Sequence, residues 1–247
     1  MFEHPPIFYI ITGIAAFIIG LAKGGLAGTL GTLATQLMAL VIHPDQVVGL
    51  VLPMLMFTDV FAVAAHWRKW DRHLVLALLP GAVVGVTIGT YFITNAPTET
   101  LRKVLGAIVL LIAIYKLLEN WAVKAAKYEG KTWHGVLAGT VAGFTSSLAH
   151  AGGPPIAIFL LLQDITPQVF VATSALFFAL LNWVKVPYYA YSGLFNFSML
   201  WDVVWLLPIL PLGVWVGKWV STRIDKVLFE KVITVLLAVT ALLLIFG

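Results

Sequence analysis

Residues 20 to 32 read Gly-Leu-Ala-Lys-Gly-Gly-Leu-Ala-Gly-Thr-Leu-Gly-Thr, and residues 143 to 155 read Gly-Phe-Thr-Ser-Ser-Leu-Ala-His-Ala-Gly-Gly-Pro-Pro. Each stretch interrupts an apolar region. Residues 7 to 42 would make a continuous helix of about 54 Å, too long for one crossing of a hydrocarbon layer of roughly 30 Å. Lys23-Gly24-Gly25 breaks it midway. Residues 132 to 163 are broken in the same way by His150-Ala151-Gly152-Gly153-Pro154-Pro155, and the piece that follows, 153 to 163, covers only about half a membrane.

The surrounding sequence fits a membrane solvent. Of 247 residues, 61% are hydrophobic and 11% are charged, whereas a water-soluble domain carries about a quarter of its residues as Asp, Glu, Lys or Arg. The mean hydropathy is +0.99. Further apolar runs cover 46 to 66, 74 to 94, 100 to 118, 167 to 190, 200 to 220 and 227 to 246, most of them near the roughly 20 residues that a spanning helix needs. No cysteine is present, so disulfides and thiolate metal sites are excluded. The net charge is +4, but its basic residues cluster between apolar runs, as in the cytoplasmic loops of membrane proteins, so no nucleic-acid partner is expected. Met1 to Pro6 lacks the basic start and small-residue cleavage site of a secretory signal, and the first apolar run is expected to stay in the mature protein.

The chain also repeats. A displacement of 123 residues puts Gly20 on Gly143, Lys23 on Ser146, Pro44 on Pro167 and Asp59 on Asn182. After a short insertion near 190 to 203 the displacement becomes 128, and Pro80 falls on Pro208, Gly85 and Gly89 on Gly213 and Gly217, and Lys103 on Lys231. Residues 1–122 and 123–247 therefore form two transmembrane repeats, each a broken segment followed by three ordinary spans. Charge chooses between topologies, because Lys and Arg concentrate in cytoplasmic loops. If each broken region crosses once, Arg68, Lys69, Arg72, Lys116, Lys124, Lys127 and Lys131 oppose Arg102, Lys103, Lys218, Arg223, Lys226 and Lys231. That shows no bias. If each broken region is instead a hairpin returning to its own side, only Arg102 and Lys103 remain outside. The expected fold is an all-α polytopic membrane protein of two inverted repeats, each a broken helical hairpin plus three transmembrane helices. Both termini face outward in it.

Non-helical backbone at membrane depth is tolerated only inside protein or beside a water-filled cavity, so the two breaks are the first candidates for a substrate site. The helix start after each break offers free N–H groups and the positive end of a dipole, which suits an anion. Lys23, Gly24 and Gly25 in the first break, and Thr145, Ser146, Ser147, His150, Gly152 and Gly153 in the second, are the candidate substrate-binding residues. Gly81, Gly85, Gly89, Gly139, Gly143, Gly213 and Gly217 read instead as close-packing positions between helices. Intramembrane ionisable residues are costly and read as functional. Asp59 is either a proton carrier, making the proton a candidate coupling ion, or a structural partner of Lys23. Asn182 matches it in the second half but cannot ionise, and Lys185, one turn on, either reaches the same cavity or snorkels outward. His66, Trp67, Trp70 and His73 read as interfacial anchors. His4, His43 and His134 have no metal-ligand spacing, so neither metal nor cofactor is expected. Nucleotide-binding and hydrolase motifs are absent, which argues against an enzyme.

The two quoted stretches, with Pro44, Pro53 and Asp59, resemble the two half-signatures of the sulfite exporter TauE/SafE family. The resemblance covers nearly the whole chain. It implies a bacterial inner-membrane (cell-membrane) carrier of sulfite, sulfonates or related organosulfur and carboxylate anions. His150 departs from it, since many relatives keep a smaller residue before Gly-Gly-Pro. Together the residues and the resemblance lead to a secondary transporter of small anions working by alternating access, with Lys23 neutralising the substrate's charge and Ser146 and Ser147 donating hydrogen bonds. An anion channel, an intramembrane enzyme and a membrane scaffold are the rival classes.

Overall fold

The structure, a computed structural model, describes residues 4–25, 31–97, 132–163, 165–195 and 197–221, with scattered positions between 99 and 114 and Val235. The expected spans at 100 to 118 and 227 to 246, and the loop lysines from 116 to 131, lie wholly or largely outside the described residues. Within them the regular structure is helical: α1 (Pro6–Gly25), α2 (Gly31–Ala39), α3 (Pro44–Ala65), α4 (Arg72–Asn95), α5 (Thr132–Ala149), α6 (Gly153–Leu161), α7 (Pro167–Tyr191), α8 (Phe197–Val203) and α9 (Ile209–Ser221). No strand occurs among these residues. Three of the helices, over Pro6–Lys23, Pro44–Ala64 and Arg72–Asn95, are long and apolar enough to cross a membrane. Large apolar side chains such as Val60, Leu76, Ile88, Trp183 and Trp215 point outward, as a lipid-facing surface requires.

The helix starts follow from local chemistry. Pro44 and Pro167 occupy the first turns of α3 and α7, where a missing N–H costs nothing. Asp71 caps α4 by accepting from the amides of His73 (2.8 Å) and Leu74 (3.2 Å). Two boundaries differ from the sequence reading. Helix α1 continues through Lys23-Gly24-Gly25, placing the lysine in its last turn. The run at 200 to 220 is not one helix: α8 passes through a 3₁₀ turn at Val204–Leu206 before α9 begins. Pro208 explains the second difference, since it lacks an N–H and its ring crowds the carbonyl four residues back. Pro80, at the matching place in the first half, is tolerated inside a continuous α4.

Each broken region has one long and one short arm. Helix α1 has 20 residues and α2 nine; α5 has 18 and α6 nine. The short arms pack on their long partners, and Ala34, Met38 and Ala39 of α2 share a buried cluster with Ala15, Ala16 and Ile19 of α1. The long arms then pack across the molecule, α1 on α9 and α5 on α4. Glycine makes these crossings possible. A Cβ on Gly20 would overlap the carbonyl oxygen of Leu210 and stand 3.0 Å from Val214 N. One on Gly143 would overlap the carbonyl oxygen of Ala82 and stand 3.0 Å from Val86 N. From the facing helices, Gly213 would strike Phe17 and Leu21, and Gly85 would strike Thr140 and Phe144. Gly81, Gly89 and Gly139 also face close neighbours, so the packing role read for them holds.

Candidate functional site

Helix α7 organises the interior. Phe178, Asn182, Lys185 and Tyr189 recur at a spacing that puts all four on one helical face; Asn182 meets Asp59 on α3, and the other three meet residues of the broken regions. Asn182, Lys185 and Tyr189 are 3%, 0% and 0% exposed, and Phe178 is half-buried.

Near one end of the stripe, the Lys23 ammonium forms an ion pair with Asp59 Oδ1. The second carboxylate oxygen, Oδ2, accepts from Asn182 Nδ2 at 2.6 Å. Asp59 is thus held by both helix α1 and helix α7, and its two partners occupy its two oxygens. Lys23 also lies 5.7 Å from the centre of the Phe178 ring, within cation–π range. Phe178 in turn borders the second break: a Cβ on Gly152 would stand 3.2 Å from the ring and 3.2 Å from Ser146 Cβ. Gly152 therefore has to be small for the second break to pack this closely on the ring that Lys23 approaches.

One turn along α7, Lys185 donates to Ser146 Oγ at 3.0 Å and lies 3.1 Å from His150 Nδ1. The Ser146 carbonyl is farther, at 3.5 Å. His150 Nε2 is 3.1 Å from the carbonyl oxygen of Val48 on α3. A carbonyl only accepts, so Nε2 carries the proton and Nδ1 is left as the acceptor for Lys185. The ring is neutral in this arrangement. His150 also has a positive φ of 50°, uncommon for a residue with a Cβ, and costing on the order of 1–3 kcal/mol. The two hydrogen bonds of its ring hold it there. Its amide still closes the helix to the Ser146 carbonyl at 3.0 Å.

Among the other expected site residues, the Ser147 hydroxyl donates to the Gly143 carbonyl at 3.0 Å, and the Ser147 carbonyl accepts from Tyr189 Oη at 2.8 Å. The Thr145 hydroxyl is shared between the carbonyls of Val141 (2.8 Å) and Ala151 (3.2 Å), tying α5 to the break that follows it. Gly24 and Gly25 end α1, and Gly153 opens α6. The structure thus brings Lys23, Asp59, Asn182, Lys185, Ser146, His150 and Gly152 into one interior region, and it turns the Thr145 and Ser147 hydroxyls onto their own backbone. Lys185 does not snorkel. Phe178 and Tyr189 were missed in the sequence, although their helical spacing from Asn182 and Lys185 was a usable signal.

Long apolar helices with ionisable side chains gathered in their interior are the arrangement expected of a membrane transporter. The sequence matches the model of the family described as sulfite exporter TauE/SafE over residues 12–244, and the chain belongs to that family. It is also similar to a protein of Bacillus subtilis (strain 168) described as a probable membrane transporter protein, YjnA, with 26% identity over 160 residues. That similarity covers 56% of this chain and 63% of the relative, so the chain spans less than two thirds of the relative's length. No solved structure matches the chain.

Proposed function

We propose that this membrane transporter is a secondary carrier of small sulfur-containing oxyanions or organic anions, of the sulfite and sulfonate class, in a bacterial inner membrane. The carrying observation is that one face of α7 gathers the Lys23–Asp59 pair, through Asn182, and one turn on Lys185 with Ser146 and His150 in the protein interior. The binding region comprises Lys23, Gly24 and Gly25 from the first break with Thr145, Ser146, Ser147, His150, Gly152 and Gly153 from the second. Asp59, Asn182 and Lys185 set its charge. Protonation of Asp59 would release Lys23 from its ion pair and make a second cation available to the anion, which couples substrate movement to protons.

The carrier works by alternating access between two inverted repeats, residues 1–122 and 123–247. The matched helix crossings support this arrangement. Gly20 meets Leu210 and Val214 as Gly143 meets Ala82 and Val86, and these pairs are related by the same displacements of 123 and 128 that align the halves. The contact between Asp59 and Asn182 also joins two positions 123 apart, and equivalent residues can touch only near the axis that relates them.

The test is flux in proteoliposomes with sulfite, sulfate, thiosulfate and short alkanesulfonates. Saturable uptake with counterflow of at least one of these anions is expected. Flux without counterflow would make the protein a channel, and absence of flux for the whole panel would overturn the anion reading.

A further inference from the structure

We propose that Lys185 is the residue that holds the anion's charge in the resting conformation; this rests on the anion-transport reading and names the contact within it. Among the described residues the region holds two lysines, Lys23 and Lys185, and one carboxylate, Asp59. Asp59 gives one oxygen to Lys23 and the other to Asn182. Both of its oxygens are therefore taken. Lys185 is wholly buried, and among the described residues no carboxylate lies within ion-pair distance of it. Its neighbours are Ser146 Oγ, the Ser146 carbonyl and His150 Nδ1, all uncharged once the carbonyl of Val48 has fixed the proton on His150 Nε2.

The geometry of the donors agrees with the charge. An ammonium has three N–H groups. Ser146 Oγ and His150 Nδ1 take two at ordinary lengths, whereas the third has only a carbonyl at 3.5 Å. A buried ammonium with one loosely used donor and no carboxylate in contact is stabilised by an oxyanion that accepts from that donor. Ser146 occupies the position in the second repeat that Lys23 occupies in the first, and Gly152 lets the chain pack closely between Ser146 and the Phe178 ring, whose centre lies 5.7 Å from the Lys23 ammonium. His150 takes the second ammonium hydrogen on Nδ1 while its Nε2 is held by the Val48 carbonyl.

The experiment is binding of thiosulfate and methanesulfonate to purified protein, by calorimetry and by ligand-dependent thermal shift. Lys185→Gln retains hydrogen-bonding capacity but loses the charge, and is expected to weaken binding at least tenfold, equivalent to about 1.4 kcal/mol. Lys185→Arg keeps the charge and is expected to stay within threefold of the parent. Lysine labelled with nitrogen-15 at Nζ gives a second readout in the parent itself: the resonance lost in Lys185→Arg should move on addition of methanesulfonate. A parent that binds neither anion would overturn the transport reading. A parent that binds, together with a Lys185→Gln variant that binds equally well or a Lys185 resonance unmoved at saturation, would overturn this assignment alone.

Discussion

Breaking the Lys23–Asp59 pair should cost more than deleting it. Asp59 is 3% exposed, and its carboxylate has one cationic partner and one amide donor. In Lys23→Met the carboxylate keeps only Asn182, and removal of one member of a buried pair costs about 3–5 kcal/mol. For a chain of this size, that is a fall of roughly 6–20 °C in melting temperature, at about 2–4 °C per kcal/mol. In Asp59→Asn the stranded group is the ammonium, whose side chain is 15% exposed and lies over Phe178, so a smaller loss is expected. The double variant Lys23→Met with Asp59→Asn leaves no unpaired charge there and retains an amide beside Asn182. It should recover at least half of the Lys23→Met loss. The assay is a double-mutant cycle of thermal unfolding for detergent-purified protein, read by intrinsic fluorescence. A coupling energy below about 0.5 kcal/mol, the level at which independent sites add, would refute the reasoning and leave the two residues as neighbours without energetic consequence.

Three further outcomes are expected. If Asp59 carries the coupling proton, Asp59→Asn should abolish uptake driven by a pH gradient in proteoliposomes and leave substrate exchange intact; retained pH-driven uptake would count against that role. Gly20→Ala and Gly143→Ala each force a Cβ into the backbone of the facing helix, and each should destabilise by about 1–3 kcal/mol; a neutral result for both in thermal unfolding would contradict the helix crossings. Reporter fusions should place both termini in the periplasm and the Arg68–Arg72 loop in the cytoplasm, and a cytoplasmic C-terminus would exclude the paired-hairpin topology.

The second break was legible because Gly and Pro interrupt an otherwise apolar pattern, whereas α1 continues through the Lys23-Gly24-Gly25 that was read as the first; glycines spaced at helical intervals marked the crossings. Asp59 was singled out because a carboxylate within an apolar run has few benign explanations. Its partners were harder to read. Lys23 was a natural one, but nothing local distinguishes Asn182 as the second, since that contact joins helices 123 positions apart. The destination of Lys185 was open for a related reason: a lysine near a helix end can extend to the interface or fold inward, and only the placement of Ser146 and His150 decides it. Hydroxyl orientation was not legible at all. Thr145 and Ser147 satisfy carbonyls of their own helix, an option open to any helical Ser or Thr, whereas the neighbouring Ser146 hydroxyl receives Lys185.

The two halves place different side chains at matching positions, and on the anion-transport reading that difference would give the site its polarity. In the first half the cation stands on the long arm of the hairpin, at Lys23, and the carboxylate on the following helix, at Asp59. In the second half the long arm carries Ser146 and the following helix carries Asn182, with the cation moved one turn farther, to Lys185. An exact repetition of the first half would have placed two ion pairs in the interior, each neutral and with no field to attract an anion. Exchange of Asp for Asn removes one negative charge, and retention of a lysine on the same helix leaves the junction with an excess positive charge while Asp59 is ionised. The amide at Asn182 still serves Asp59 across the interface, so the loss of charge does not leave that carboxylate short of a donor. Asn182→Asp should therefore act in the opposite direction from Asp59→Asn on anion affinity. It adds a carboxylate within a turn of Lys185, cancels the excess charge and is expected to weaken thiosulfate binding at least tenfold, or about 1.4 kcal/mol, in the same calorimetric assay. Unchanged affinity in Asn182→Asp would show that the charge difference between the halves does not govern binding.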